Sequence, residues 1–249
     1  MVNIDTVYQS VLALANKEQR GYITPQEFNL FANQAQMEIF EQYFYDINQF
    51  SKQPGNSTEY SDMLRNLQEK IDLFQSWKQN VTVANQWGSI ILDQVIPDLY
   101  RLGRVSVQYQ GYPDVTAEYR TWMENTTYGI SPLTKGTKKR PVYNRIIGQS
   151  TTNPPLGRNT IKIRPYPIPG TDVVRIYYTK IPARPKWSYN VVAGKALLNA
   201  TGTINFELHS SEESELIYRI LALAGIAIQK PQLTQIAVGL EGAKQQQEK

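Results

Sequence analysis

The sequence predicts an α+β fold with N-terminal helices, a central proline-rich antiparallel β-region and C-terminal helices. Apolar residues recur at helical spacing before residue 80 and after residue 206. Between them lie short alternating or β-branched runs, and nine of the 14 prolines fall between Pro132 and Pro185. The 249 residues therefore divide into an N-terminal helical region (1–79), a β-rich basic region (80–206), and C-terminal helices with a polar tail (207–249).

Three helices are predicted in the N-terminal region. Apolar spacing predicts the first at residues 3–16. Thr24, Pro25 and Glu27 form a capping-box pattern with proline at the first helical position, which predicts a second helix from there to about residue 50. The third is predicted at residues 57–77, after a Pro-Gly turn.

The second helix has aromatic and aliphatic residues on more than one face. A helix on the surface of a monomer needs only one apolar stripe, so this pattern indicates burial on two sides, partly by another subunit. The candidate subunit-interface residues are its phenylalanines Phe28, Phe31, Phe40 and Phe44.

The central region alternates between strand and turn signals. β-branched and alternating segments predict strands at residues 81–83, 89–92, 104–109, 143–147, 160–164 and 173–178. A short helix is predicted at residues 118–124. In the C-terminal region, Ser210 and Glu213 form a second capping-box pattern before an apolar helix. A last helix is predicted from Pro231, followed by a polar tail at residues 243–249.

Charge is concentrated in the middle of the chain. The net charge is +4, yet residues 131–206 contain 13 Lys and Arg against a single acid, Asp172. A segment of +12 therefore lies within a remainder of −8. Such asymmetry indicates contact with a polyanion or an acidic protein surface, or a basic β-domain beside acidic helices of its own chain or a neighbour.

Four of these cations lie in one glycine-containing loop: Lys135, Lys138, Lys139 and Arg140. They predict sequence-independent contact with nucleic-acid phosphates. The alternative is a solvated loop. No motif that reads bases accompanies them, so sequence-specific recognition is not predicted.

Residue types exclude most catalytic chemistry. The chain has no cysteine, which excludes disulfides, thiolate metal sites and cysteine nucleophiles. Its single histidine, His209, excludes multi-histidine zinc sites, and no nucleophile–base pair can be assembled. The sequence therefore predicts no enzyme activity, no catalytic residue, no metal and no cofactor. Residues 16–27 imitate a calcium loop, but Arg20 stands where an oxygen ligand is required, and Glu27 is already explained as a helix cap.

Membrane insertion and secretion are not expected either. The longest apolar run, residues 220–228, is too short to span a bilayer, and the N-terminus lacks the pattern of a signal peptide. These features, with the absence of cysteine, predict assembly in a reducing cytoplasm.

Several short motifs, in order along nearly the whole chain, together resemble a phage structural family. They are LANKEQRGYITPQEFN (14–29), IPDLYRL (96–102), SPLT (131–134), RPVY (140–143), IKIRP (161–165), YYTKIP (177–182), PKWSY (185–189), FELH (206–209) and ELIYRIL (215–221). In this order and spacing, the chain is similar to the tail ring, or head-to-tail adaptor, proteins of short-tailed crAss-like bacteriophages.

The resemblance implies a virion structural protein of the tail or neck. It implies a twelve-fold homo-oligomeric ring that stacks with the portal and other tail ring proteins and forms a conduit for genome packaging and ejection. Contact with the phage double-stranded DNA would be transient and non-specific. In such a ring, Lys135, Lys138, Lys139 and Arg140 would face either the DNA lumen or a ring interface. Two alternatives remain open: a non-specific nucleic-acid-binding accessory protein, and a host-surface-binding tail component, the latter supported only by the 16 Tyr and four Trp residues.

Overall fold

The computed structural model describes residues 1–16, 23–52, 58–79, 81, 89–147, 159–227 and 239. The α-helices in this part of the chain are α1 (Ile4–Asn16), α2 (Pro25–Lys52), α3 (Thr58–Asp72), α4 (Leu92–Val95), α5 (Trp122–Tyr128) and α6 (Glu213–Ala227). The strands are β1 (Gln75–Lys78), β2 (Ser89–Ile91), β3 (Leu99–Gln108), β4 (Asp114–Thr116), β5 (Glu118–Tyr119), β6 (Val142–Ile147), β7 (Asn159–Arg164), β8 (Val173–Lys180), β9 (Tyr189–Val192) and β10 (Lys195–Leu198). The predicted α+β class, with helices towards both ends, is confirmed.

The chain forms two compact units. Residues 74–181 form one, here called the β unit, and residues 1–73 with 182–249 form the other, the helical unit. These bounds differ from the predicted region 80–206. Residues 75–78 belong with the β unit because β1 pairs with β8. Residues 182–206 belong with the helical unit because they return along α1 and α2.

Trp187 fixes that returning segment to the helices. Its ring is buried with its centroid 4.1 Å from that of Tyr8 on α1, and its indole Nε1 donates a hydrogen bond of 2.9 Å to Asp5. The side-chain oxygen of Asn29 on α2 accepts from the Trp187 backbone N–H at 2.7 Å. Asn29 Nδ2 also donates to the Trp187 carbonyl at 3.1 Å. These contacts satisfy the backbone N–H and carbonyl of Trp187, while the adjoining Lys186 pairs with Ile204 in an antiparallel β-bridge.

Buried charges connect the helices of the helical unit. Lys70 on α3 lies 2.5 Å from the buried carboxylate of Glu212, and Arg219 on α6 lies 2.7 Å from Glu215. Arg219 also donates to Gln42 on α2. Burial, followed by the nearby carboxylates of Glu212 and Glu215, raises the pKa of Tyr43 well above its ordinary value. Buried pairs of this kind are costly to break because the remaining charge has no partner.

Two four-stranded sheets make up the β unit. Their strand orders are β1-β8-β3-β4 and β2-β7-β6-β5, and every pairing is antiparallel except the short parallel pair of β5 with β6. Both sheets contribute to one apolar core: Val81, Ile90, Leu92, Ile96, Val105, Val107, Tyr109, Ala117, Tyr143, Ile161, Ile163, Val174 and Ile176. The outer face of the second sheet is partly covered by α5, where Asn125 donates to buried Asn144 at 3.3 Å.

The local predictions agree with the structure for most long elements. α1 and α2 lie where they are predicted, and the Thr24–Glu27 capping box forms, with Thr24 N–H donating to Glu27 at 2.9 Å and Glu27 N–H donating to Thr24 at 3.3 Å. The strands predicted at 89–92, 104–109, 143–147, 160–164 and 173–178 correspond to β2, β3, β6, β7 and β8.

Three local predictions are wrong. The third helix ends at Asp72 rather than residue 77, because residues 75–78 pair as β1 with β8. The short helix lies at Trp122–Tyr128 rather than 118–124, because the Thr121–Glu124 capping box sets its start. The helical segment before α6 is capped by His209 rather than Ser210, and its first turn is a 3₁₀ helix, Ser210–Glu212. Residues 82–83, the start of the last helix at Pro231 and the polar tail lie outside the described residues.

Candidate nucleic-acid or protein-binding surface

The four cations of the predicted basic loop lie on an ordered turn between α5 and β6. Thr137 and Arg140 exchange two backbone hydrogen bonds of 3.0 Å, so Lys138 and Lys139 occupy the tip of a tight hairpin. The Lys135 N–H donates to the Ser131 carbonyl at 2.9 Å. Residues 135–140, here called the basic hairpin, therefore present four exposed cations from a defined backbone.

Close packing positions the basic hairpin on the second sheet. A Cβ atom at Gly136 would lie 2.6 Å from the Arg164 carbonyl oxygen and 2.8 Å from Val142 Cγ2, so only glycine fits this approach. On its N-terminal side, the Thr134 hydroxyl donates to the Tyr128 carbonyl and the Arg120 guanidinium donates to the Thr134 carbonyl, both at 2.7 Å. The sequence contains the glycine, but its contact with β7 is a tertiary feature.

Aromatic rings support the tip of the basic hairpin. Lys138 Nζ lies 6.0 Å from the ring centroid of Tyr109 and 5.7 Å from that of Tyr112, within the range of cation–π attraction. The Tyr109 hydroxyl donates to the Pro165 carbonyl at 2.6 Å, and burial, with a smaller effect of Asp172, raises the pKa of Tyr109 above its ordinary value.

Asp172, the lone acid of the segment 131–206, braces the adjoining turns. Its two carboxylate oxygens accept from the backbone N–H groups of Gln110 at 2.9 Å and Ile168 at 2.7 Å. Within the described residues, no Asp or Glu forms an ion pair with Lys135, Lys138, Lys139 or Arg140. The positive potential of the basic hairpin is therefore directed at solvent.

The charge asymmetry of the sequence follows the two compact units. The β unit contains 14 Lys and Arg against six Asp and Glu, a net charge of +8, and the helical unit contains 12 against 16, a net charge of −4. Residues 125–171, which include the basic hairpin, contain no acid at all.

An exposed apolar surface lies beside the basic hairpin, and no pattern in the sequence predicted it. Around α5, large side chains that would ordinarily be buried face solvent, and Ile130 and Leu133 are 82% and 95% exposed. We call this set the α5 surface: Tyr119, Trp122, Met123, Tyr128, Ile130 and Leu133. In the sequence these six apolar residues lie close together, but their spacing has no periodicity that would place them on a single buried face.

A polar cleft lies at the base of the α5 surface. It has a volume of about 280 Å³ and is lined by Glu118, Tyr119, Arg120, Glu124, Tyr128 and Thr134. Arg120 pairs with Glu118 at 3.0 Å, and Glu124 accepts from the backbone and hydroxyl of Thr121. These hydrogen bonds lower the pKa of Glu124, which therefore stays ionised as the helix cap. The charged groups of the cleft are thus engaged in holding local structure.

The predicted interface phenylalanines do not form a surface. Phe28 and Phe40 are completely buried in the helical unit, and Phe28 packs edge-on against Tyr8 with centroids 4.8 Å apart. Phe31 and Phe44 are half-buried. Phe28 and Phe40 are therefore core residues of the single chain, because the returning segment and α6 cover faces of α2 whose burial the sequence pattern assigned in part to another subunit.

The outward face of α2 carries different residues. Leu30 and Tyr45 are 70% and 62% exposed, and Gln34 and Glu41 are also exposed. At 100° per residue these four positions fall on one side of the helix, together with half-buried Glu38. α2 contains four acids and one cation, Lys52 at its last position, so this outward face is apolar and acidic.

Neither His209 nor Glu27 has the arrangement of a ligand or catalyst. His209 Nδ1 accepts from the Ser211 N–H at 3.3 Å and so caps the following turn. The Glu27 carboxylate accepts from the Thr24 N–H and hydroxyl, which lowers the pKa of Glu27. Residues 17–22 of the calcium-like segment lie outside the described residues. Among the residues that are described, no three His, Asp or Glu side chains are grouped as a metal site, and no helix is long and apolar enough to cross a membrane.

Comparison with protein-family models finds no matching family, and comparison with curated proteins finds no relative.

Proposed function

We propose that this chain is a virion structural protein that closes into a ring of the phage head-to-tail connector, a conduit for genome packaging and ejection. The observation that carries the proposal is the α5 surface next to the basic hairpin: a rigid, exposed, apolar and cationic surface on a chain whose other unit is acidic. Large exposed apolar surfaces are typical of protein–protein interfaces, and opposite charge on the two units favours contact between copies.

The resemblance of the ordered sequence motifs to tail ring proteins supports the same function. A conduit subunit needs extensive contacts with its neighbours in the ring and with the rings above and below. Such a subunit acts through its surfaces rather than through a catalytic centre.

The basic hairpin has two roles compatible with a ring. At the lumen, its cations would contact DNA phosphates weakly and without sequence preference, so that the genome slides past. At an interface, they would meet the acids of a neighbouring protein. Both roles use the same exposed cations. In the lumenal role, loss of the cations would weaken DNA contact, whereas in the interface role it would weaken assembly.

Oligomeric state tests the proposal directly. The purified full-length chain is measured by size-exclusion chromatography with light scattering and by electron microscopy, alone and mixed with the portal. We expect closed rings, since a heterologous contact that closes generates cyclic symmetry, and the resemblance to tail ring proteins implies about twelve copies. A chain that stays monomeric or dimeric under both conditions would contradict the proposal, as would purified virions in which mass spectrometry finds none of it.

A further inference from the structure

The geometry points to a specific contact between copies: the α5 surface and basic hairpin of one copy dock on the outward face of α2 of a second copy. This inference rests on the proposed ring and names the surfaces that would close it. The occupant of the α5 surface is therefore a second copy of this chain, recognised through an apolar and acidic helix face.

Local hydrogen bonds hold the backbone of the α5 surface in a defined conformation. The Thr121–Glu124 capping box fixes the start of α5, and Asn125 holds its buried side against Asn144. The turn that follows is fixed by the hydrogen bond of the Thr134 hydroxyl to the Tyr128 carbonyl. Exposed apolar side chains on a preorganised backbone lose little conformational entropy on binding, which favours their use as interface anchors.

The positive charge of the basic hairpin favours an acidic partner for the α5 surface. The four cations of the basic hairpin border the α5 surface, and residues 125–171 contribute no acid that would offset them. A cationic or neutral partner would leave this positive edge without complementary charge. Interfaces arranged in this way use an apolar centre for affinity and a charged rim for orientation.

The outward face of α2 has the complementary character. It presents Leu30 and Tyr45 as apolar contacts, with the exposed Glu41 between them, and the only cation of the helix lies at its C-terminal end. Both surfaces are exposed in the single chain. Because they are different surfaces of one chain, their contact between copies is heterologous, and a heterologous contact generates a ring when its rotation closes.

Apolar-to-acid substitutions test the α5 surface without disturbing the fold. The variant with Ile130→Asp and Leu133→Asp should keep the wild-type circular dichroism and melting temperature while its ring assembly weakens at least tenfold. The matched control is Ile147→Asp, which changes a 73% exposed isoleucine of the same unit away from α5. Equal assembly by the double variant and wild type, or equal loss in the control, would overturn the inference.

Charge reversal tests the partner. Lys135→Glu with Lys139→Glu should weaken assembly, as should Glu41→Lys. Glu38 is left unchanged because it lies 3.8 Å from Arg219 of its own chain. A chain that carries all three reversals should recover at least part of the lost assembly, because attraction between the two faces is restored with opposite sign. No recovery, or loss of portal binding with normal ring closure, would show that another protein occupies the α5 surface.

Cross-linking locates the contact, since the natural chain has no cysteine to compete. A chain with Leu30→Cys and Leu133→Cys is treated with a short bismaleimide. A covalent ladder that extends to ring size is expected, whereas each single-cysteine variant gives a dimer at most. Rings that yield no ladder would contradict the inference and leave the proposed function standing. A wild-type chain that forms no ring, alone or with portal, would contradict the proposed function itself.

Discussion

At the scale of single residues, the buried tyrosines make stability sensitive to alkaline pH. Burial raises the pKa of Tyr109 above the value near 10 that it has in the unfolded chain. The unfolded state therefore releases the phenolic proton first, so this contribution to stability is complete below about pH 10 and is lost as pH rises beyond it. We expect the free energy of unfolding to fall with pH above 10, by up to about 1.4 kcal/mol per pH unit from this group alone.

The variant Tyr109→Phe isolates that effect. It loses the hydrogen bond to the Pro165 carbonyl, which costs about 0.5–1.5 kcal/mol near neutral pH, but it has no phenol to ionise. Urea unfolding measured from pH 8 to about pH 11 should show a shallower decline for Tyr109→Phe than for wild type. The control is Tyr166→Phe, which changes a tyrosine that is 42% exposed. If the free energy of unfolding falls equally steeply with pH in Tyr109→Phe and wild type, ionisation of Tyr109 is not the cause of the decline.

Helix caps show how much single residues reveal from sequence alone. The Thr24–Glu27 box was predictable because its donors and acceptors all lie within three residues of one another. His209 takes the place of Ser210 as the cap because its Nδ1 accepts from the Ser211 N–H. In the same turn Glu212 pairs with Lys70, which is distant in sequence. The fixed position of Gly136 against Arg164 is likewise a tertiary contact that no local pattern contains.

At the scale of elements, the turn between β9 and β10 is strained at one residue. Ala193 and Gly194 have φ angles of 49° and 75°, the left-handed pair of a type I′ hairpin turn. Glycine adopts this conformation freely, whereas alanine does so at a cost of about 1 kcal/mol. Ala193→Asn should stabilise the hairpin by roughly 0.5–1 kcal/mol because asparagine tolerates positive φ and is favoured in this turn.

Hydrogen exchange of the β9 and β10 amides is the measurement that detects this change. Slower exchange is expected in Ala193→Asn, and faster exchange in Ala193→Val, whose β-branched side chain opposes positive φ. Exchange rates that do not follow this order would show that the turn relaxes to another conformation. The hairpin was not predicted, since an Ala-Gly turn lacks the usual Asn-Gly or Asp-Gly signal.

The elements that sequence patterns found are those whose signal is long and periodic. α1, α2, β3 and β8 are examples. Most of β1 was assigned to the end of a helix because the apolar helical pattern before it runs up to Phe74. Only pairing with β8, about a hundred residues away, makes residues 75–78 a strand. The α5 surface was missed for the opposite reason: its apolar residues stay exposed, and periodicity predicts only what is buried.

At the scale of the whole molecule, the charge asymmetry was visible in the sequence but its boundary was not. Counted along the chain, the basic segment runs through residues 131–206, whereas the compact β unit ends at Ile181. The segment after it crosses to the helical unit because Trp187 is buried between α1 and α2. Cations such as Arg184 and Lys186 therefore belong to the acidic unit and reduce its net charge to −4.

That separation of charge leads to the last prediction, which concerns the basic hairpin and salt. Replacing Lys135, Lys138, Lys139 and Arg140 by Gln removes the cations and leaves the Gly136 contact and the α5 surface in place. If the hairpin forms the rim of the contact with α2, wild-type assembly should weaken as salt rises from about 0.1 M to 1 M, where the Debye length shrinks from about 10 Å to about 3 Å. The four-glutamine variant should assemble less well at low salt and respond less to added salt.

DNA binding by isolated rings separates the lumenal role from the interface role. For every phosphate contact that the hairpin makes, the slope of log affinity against log salt should be reduced by about 0.9 in the variant. If the variant assembles as wild type but its DNA affinity depends less on salt, the cations contact DNA. If the variant fails to assemble, the cations contact the neighbouring copy. A variant unchanged in both measurements would leave the four cations as a solvated turn, because charges that contact neither phosphate nor carboxylate change neither equilibrium.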